Sequence, residues 1–322
     1  MNGNSEKTIL GIHHVTALAR NPQRNVEFYT EALGLRLVKR TVNFDDPGTY
    51  HLYYGDDLGR PGTVMTFFPW PRAVQGYRGT GQTTATAFRV PAGSLGYWQE
   101  RLRRLAIEHE GPGVRFSQEV LVAYDPDGLK LELVAADGGS AAQPWSDASV
   151  PAEHAIRGFA GVTLTESNLR ATSRFLTGVM GFEPAGESGN RLRFVAGKGD
   201  GAAAIEVEER SGGSPGRIAA GTVHHVAWRA ADDGAQREWQ EGLSAAGVRV
   251  TQVRDRQYFR SIYFHEPGGV LFEIATDPPG FTVDEAPEDL GHSLRLPPWL
   301  EPRRTEVERA LPALELPAGV KK

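Results

Sequence analysis

The tripeptide His-His-Val occurs twice in this chain, each time inside a short apolar run: residues 11–18 read GIHHVTAL and residues 221–230 read GTVHHVAWRA. Both runs read as buried strands. Two copies in matching contexts point to a duplicated unit whose imidazoles the fold brings together. A third run, residues 270–276 (VLFEIAT), sets Glu273 among Leu, Phe and Ile. A carboxylate in such a strand is costly to bury unless it is paired or bound to a metal. Two histidines and one carboxylate, each from a strand, form the ligand set of a mononuclear non-haem Fe(II) centre.

The duplication extends to whole modules. Residues 10–19 pattern as a strand. Residues 25–33 place Val26, Tyr29 and Leu33 on one helical face, with Gly34 as the C-cap. Strands then follow at 35–44, 50–54 and 63–68, separated by turns at 45–48 and 59–62. Strand, helix and three strands recur at 83–90, 94–105, 114–116, 119–124 and 129–135. They recur again at 159–165, 169–179, 182–185, 191–196 and 203–208. The fourth unit has the His225 strand, a helix at 236–246, and strands at 248–254, 258–264 and 270–276. Four βαβββ modules are a repeat architecture, which governs the rest of the reading.

The expected division of the chain is two modules in 8–138, a linker rich in small and polar residues in 139–156, two modules in 157–277, and a proline-rich tail in 278–322. The tail carries one expected helix at 305–311.

The 322 residues contain no cysteine, which excludes disulfides, thiolate metal sites and a cysteine nucleophile. A net charge of −5 gives no reason to expect nucleic acid or an anionic membrane as a partner. The first residues, MNGNSEKT, lack the apolar core of a signal peptide, and no run approaches membrane-spanning length. A cytoplasmic protein is expected.

Longer motifs carry a resemblance: GIHHVTA, LVKRTVNFDDPGTYHLYYGD, GRPGTVMTFFPWP, TVHHVAW, DRQYFRSIYFHEPGGVLFEIATDPPGF and LPPWLEPRR. Through them nearly the whole chain resembles the vicinal oxygen chelate superfamily, the fold of glyoxalases, bleomycin-resistance proteins and extradiol dioxygenases. Within it, the chain is similar to the ring-cleaving dioxygenases of hydroquinones. The resemblance implies an α+β fold of four βαβββ modules paired into two incomplete barrels. It implies a metal held by His14, His225 and Glu273, surrounded by Thr16, Arg256 and Tyr263. Fe(II) is the implied ion, although Mn(II) accepts the same ligands. An aromatic diol, halogenated, alkylated or plain, and O2 are the implied substrates. Homo-oligomerisation follows only by analogy with the fold.

The residues add their own constraints. Strand side chains alternate between faces, so Thr16 points the way His14 does, and Ala227 the way His225 does. Only one histidine of each pair then faces a given metal. His13 and His224 must point to the opposite layer or reach the site from its edge. The last strand of module one, TVMTFF, has neither carboxylate nor imidazole, which leaves a coordination position open for substrate and O2. Modules two and three begin with TTATAFRV and FAGVTLTE, without histidine, and keep only Glu132 and Glu206 in their last strands. Salt-bridged glutamates in a metal-free second barrel are expected there.

For a dioxygenase, Tyr263 is the expected proton donor or hydrogen-bond partner, and Arg256 stabilises anionic oxygen or buttresses Tyr263. Phe259 and Trp228 either shape a flat pocket or pack the core. His51, on a strand of the module holding His14, could approach the substrate, although a lone strand histidine among aromatics is more often structural. The competing functions are catechol-type cleavage, a glyoxalase-like metal isomerase and a non-catalytic binding protein of the same fold.

Overall fold

The computed structural model of the chain describes residues 8–136, 142–197 and 202–316. Module one comprises β1 (Ile12–Ala19), α1 (Pro22–Glu27, continued by one wide turn, Phe28–Ala32), β2 (Arg36–Asn43), β3 (Asp46–Gly55) and β4 (Val64–Pro69). Asn21 starts α1, its side chain accepting from the Arg24 amide, and Pro22 fixes the first helical φ. Module two has β5 (Gln82–Val90), α2 (Leu95–Arg104), β6 (His109–Arg115), β7 (Gln118–Tyr124) and β8 (Lys130–Ala135). Module three has β9 (Phe159–Glu166), α3 (Leu169–Gly178), β10 (Glu183–Ser188), β11 (Arg191–Ala196) and β12 (Ala203–Glu209). Module four has β13 (Thr222–Ala230), α4 (Asp233–Ala245), β14 (Arg254–Asp255), β15 (Arg260–His265) and β16 (Leu271–Thr276).

The modules form two curled eight-stranded sheets, β14-β15-β16-β13-β1-β4-β3-β2 and β10-β11-β12-β9-β5-β8-β7-β6. Module one therefore shares a sheet with module four, and module two with module three. Each sheet joins strands from both sides of the expected linker; residues 137–141 of that region, and 317–322 of the expected tail, lie outside the described residues. All eight residues of β1 are buried. Helices cover one face of the sheet and the other lines a concave interior, so a central strand reads as an almost continuous apolar run. The main core joins both sheets to the helices, with Trp98, Trp228, Tyr29 and Phe88 fully enclosed.

The structure differs locally from the sequence reading. The strand expected at 248–254 is reduced to Arg254–Asp255. Thr251 meets Tyr263 with its amide on the Tyr263 carbonyl and its hydroxyl on the Tyr263 amide, so a side chain takes the place of one ladder bond. The turn expected at 45–48 tightens to Phe44 and Asp45, and Asp46–Gly48 belong to β3. The tail helix α5 spans Arg304–Ala310, and the tail packs Leu296, Leu300 and Val307 around Val42. The tail also brings Asp284 and Glu285 to the fully buried Lys39 ammonium. No helix among the described residues is long and apolar enough to cross a membrane.

Candidate metal centre

The two halves of the first sheet meet where β1 pairs antiparallel with β13, and this seam contains two bulges. Ile12 faces Trp228 but His14 faces Ala227, so His13 is an extra residue on β1. Thr16 faces His225 but Ala17 faces Val223, so His224 is an extra residue on β13. A bulge re-aims side chains that strict alternation would separate. His13 and His224 consequently lie beside their neighbours rather than in the opposite layer, and His224 reaches the cavity. The His13 and His14 Nδ1 atoms are 2.9 Å apart, and those of His224 and His225 are 2.7 Å apart.

The other nitrogens converge. His14 Nε2 and His225 Nε2 are 3.4 Å apart, and Glu273 Oε2 lies 3.5 Å from the first and 3.0 Å from the second. Glu273 arrives from β16, which runs parallel to β13 with Glu273 opposite Ala227. All three side chains are buried.

Their chemistry fits a divalent cation. If His14 and His225 carry their protons on Nδ1 and donate to His13 and His224, both Nε2 atoms are left as bare acceptors; His13 in turn bonds the Thr276 backbone. Glu273 Oε1 is occupied by the Ser261 hydroxyl, whereas Oε2 has no hydrogen-bond donor among the described residues. Three acceptors so placed could be satisfied together by a metal ion. Among the described residues, these three form the one cluster with such ligand spacing. Burial holds His225 below its ordinary value, which keeps it neutral as a ligand must be.

A cavity of about 260 Å³ opens over this cluster. Tyr263 stands opposite Glu273 in register, and its ring meets the His225 ring edge-on. Burial, reinforced by Glu273, raises the Tyr263 phenol well above its ordinary value, so it stays protonated. Arg256 donates from Nε to Tyr263 Oη at 3.1 Å and from Nη1 to Asp45 at 3.0 Å. Thr16 is fully buried beneath the cavity wall, its hydroxyl 2.9 Å from that of Thr66. Phe259 lines the cavity, tilted over the His14 ring at 4.9 Å. Trp228 does not; it packs against Phe182 and Phe272 in the core. His224 faces the cavity and is pushed down to about 3 by burial and by His225. His51, Tyr53, Phe68 and Asp45 also reach the cavity. Sequence reasoning passes over Tyr53, Phe68 and Asp45 because aromatic strand residues and turn aspartates are common without function.

The second sheet repeats the geometry with different residues. Its β5–β9 seam carries matching bulges at Thr84 and Ala160. Glu132 pairs with Ala87 and Glu206 with Thr163, as Glu273 pairs with Ala227. Two residues before those partners, where the first sheet has His14 and His225, stand Ala85 and Gly161. A Cβ at Gly161 would lie 2.2 Å from the Ala204 carbonyl oxygen, so no side chain fits there. Arg115 fills the centre, 2.5 Å from Glu132 and 2.6 Å from Glu206, and Arg193 adds a contact of 2.7 Å to Glu206.

The fold and this site define a member of a known group. The profile of the Glyoxalase/Bleomycin resistance protein/Dioxygenase superfamily matches residues 11–133 and 158–282, and the chain belongs to that superfamily. It is 46% identical over 310 residues to the provisionally named ring-cleaving dioxygenase MhqO of Bacillus subtilis, covering 96% of this chain and 98% of the relative. It is 37% identical over 309 residues to a chlorohydroquinone/hydroquinone 1,2-dioxygenase of Sphingobium indicum, covering 94% and 95% of the two chains. A crystal structure of a provisionally assigned Bacillus subtilis dioxygenase superposes with a TM-score of 0.92 at 44% identity, covering 96% of this chain and 99% of the other. Glyoxalase I from Zea mays superposes with a TM-score of 0.61 at 15% identity, a likeness of fold alone, covering 83% and 92%.

Proposed function

We propose that this protein is a ring-cleaving dioxygenase that holds one Fe(II) at His14, His225 and Glu273 and acts on hydroquinone-type aromatic diols. The observation that carries the reading is the convergence of two imidazole nitrogens and a carboxylate oxygen within 4.8 Å of one another at the floor of an aromatic-walled cavity. The names borne by MhqO and by the Sphingobium indicum enzyme support ring cleavage and the para-diol class. The ion, when bound, supplies a Lewis-acidic, redox-active point at which a diol oxygen and O2 meet; Mn(II) suits the same donors.

The remaining work falls to the chain. Three protein ligands leave coordination positions free for small molecules. Tyr263, held protonated, donates a hydrogen bond or a proton to oxygen in the cavity. Arg256 fixes the Tyr263 hydroxyl and offsets negative charge gathering there. His13 and His224 hold the ligand imidazoles by their Nδ1 atoms.

The para-diol preference has a chemical reason. A catechol grips a metal through two adjacent oxygens, whereas a hydroquinone offers one. A site for hydroquinone must recover orientation from protein contacts, and Tyr263, Arg256 and the aromatic walls provide them. The test is oxygen uptake by the Fe(II)-loaded protein with hydroquinone and with catechol. A higher specificity constant for hydroquinone is expected. A clear preference for catechol would sink the substrate assignment, and metal-loaded protein consuming no oxygen with either would sink the dioxygenase.

A further inference from the structure

The cavity has two unlike walls. Module four contributes Tyr263, Arg256 and Phe259. Module one contributes a chain of four hydrogen-bonded side chains from three adjacent strands. Tyr53 Oη lies 2.8 Å from His51 Nδ1, His51 Nε2 lies 2.9 Å from Thr66 Oγ1, and Thr66 Oγ1 lies 2.9 Å from Thr16 Oγ1. The His51 ring is wedged between the rings of Tyr53 and Phe68, at centroid distances of 4.0 and 4.2 Å. Thr16, Thr66 and Tyr53 are buried, and His51 and Tyr53 line the cavity together with all three candidate ligands.

Register gives this chain its meaning. Glu273 pairs with Ala227, two residues beyond His225. Thr66 pairs with Thr16, two residues beyond His14. Thr66 is thus the module-one counterpart of Glu273, in the place from which a second carboxylate would reach the metal. A hydroxyl stands there, engaged on both sides.

We propose that the Tyr53–His51–Thr66–Thr16 chain, with His51 as its pivot, is the substrate-positioning wall of the site. It replaces a fourth protein ligand with a neutral, ordered surface against which the diol is oriented. The inference rests on the dioxygenase reading above. A buried polar chain is worth keeping only when every member is satisfied, and then it fixes one arrangement of its side chains. Plain apolar packing would fill the same space without that order. His51 is the pivot because it alone joins β3 to β4 within the chain while presenting its ring to the cavity. Its two ring nitrogens are both committed, so it positions without becoming a ligand.

The test compares metal-loaded wild type with His51→Phe, His51→Gln and Thr66→Val. Phenylalanine keeps a ring in the slot and breaks the chain. Glutamine offers both a donor and an acceptor and can rebuild it. Valine removes only the Thr66 hydroxyl. The readouts are metal per chain, anaerobic binding of hydroquinone, and kcat and KM. His51→Phe and Thr66→Val should retain the metal and raise KM and the anaerobic Kd about tenfold, the worth of one hydrogen bond, with a smaller effect on kcat. His51→Gln should recover most of that loss. Wild-type KM in His51→Phe would overturn the proposal, as would equal damage in the Gln and Phe variants. Loss of metal from His51→Phe would also overturn it, making the chain a support for the ligands. Wild-type protein that holds metal but neither binds nor oxygenates a diol would overturn the dioxygenase reading itself, and this inference with it.

Discussion

Ser261→Ala tests the centre through a residue that touches no metal. Glu273 is fully buried, and Ser261, on the neighbouring strand, donates to its Oε1 while Oε2 is left for the ion. Two effects oppose each other. The hydroxyl withdraws some charge from the carboxylate, so its removal would slightly strengthen the ligand. Its removal also leaves one oxygen of a buried anion without a donor and frees the carboxylate to rotate away from the two imidazoles. The second effect should win, because a hydrogen bond to a charged group contributes about 1.5–3 kcal/mol. That corresponds to roughly 10- to 150-fold in an equilibrium constant, in line with the 10- to 100-fold typical of lost partners behind metal ligands. The assay is a chelator-competition titration of metal-free wild type and variant with Mn(II), with thermal melting of both to confirm folding. Weaker binding by at least about tenfold is expected. An unchanged affinity in a folded variant would refute the claim that Ser261 orients Glu273, and would mean that packing alone fixes the carboxylate.

His225→Ala should lose the metal and oxygen uptake while melting as a folded protein; full occupancy in that variant would shift the ligand to His224. Tyr263→Phe should keep one metal per chain and lower hydroquinone turnover by roughly a hundredfold, as losing one hydrogen bond made in the transition state does; equal turnover would remove Tyr263 from the chemistry. Far from the centre, burial and the neighbouring Glu266 push Glu166 up to about 8 from an ordinary 4.5. The native state thus holds a proton that the unfolded chain releases, so stability is full below about pH 4.5 and falls as pH rises through 8. Glu166→Gln should therefore melt above wild type at pH 9 and show no such gain at pH 4; parallel melting curves at both pH values would show that Glu166 titrates normally.

The modules were readable because each carries its own period change: alternating or continuous apolar strands, then a helical face ending at a glycine. The strands of the candidate ligands were readable because histidine pairs and a lone glutamate are conspicuous in apolar runs. Even the pairing of module one with module four follows from chemistry, since those modules hold the histidines and the glutamate between them. The neighbours of the ligands were not readable. Nothing in GIHHVTAL or TVHHVAW marks a bulge; no glycine or proline stands at the extra residue. Alternation alone therefore leaves the placement of His13 and His224 open between the opposite layer and the edge of the site. Likewise, Thr251 replaces a ladder bond with its hydroxyl, an exchange that no strand propensity reveals. Trp228 and Phe259 are equally apolar in sequence, and only three-dimensional packing sends one to the core and the other to the cavity.

The two sheets, taken side by side, separate what the fold supplies from what the side chains supply. Both sheets have the same strand order, with antiparallel central seams interrupted by a bulge on each strand. Four equivalent inward places result in each: two on the seam strands and two on the strands flanking them. In one sheet these hold His14, His225, Glu273 and Thr66; in the other, Ala85, Gly161, Glu132 and Glu206. The first set offers three donors to a cation and leaves a neutral hydroxyl at the fourth place. The second offers two carboxylates and no imidazole, and the guanidinium of Arg115 supplies the missing positive charge from within the chain. A covalently attached cation cannot exchange ligands or change oxidation state, so the second cavity, though about 360 Å³, lacks the means for the same chemistry. The scaffold provides the same four places twice: in one sheet their residues form a candidate cradle for an ion, and in the other they enclose an arginine.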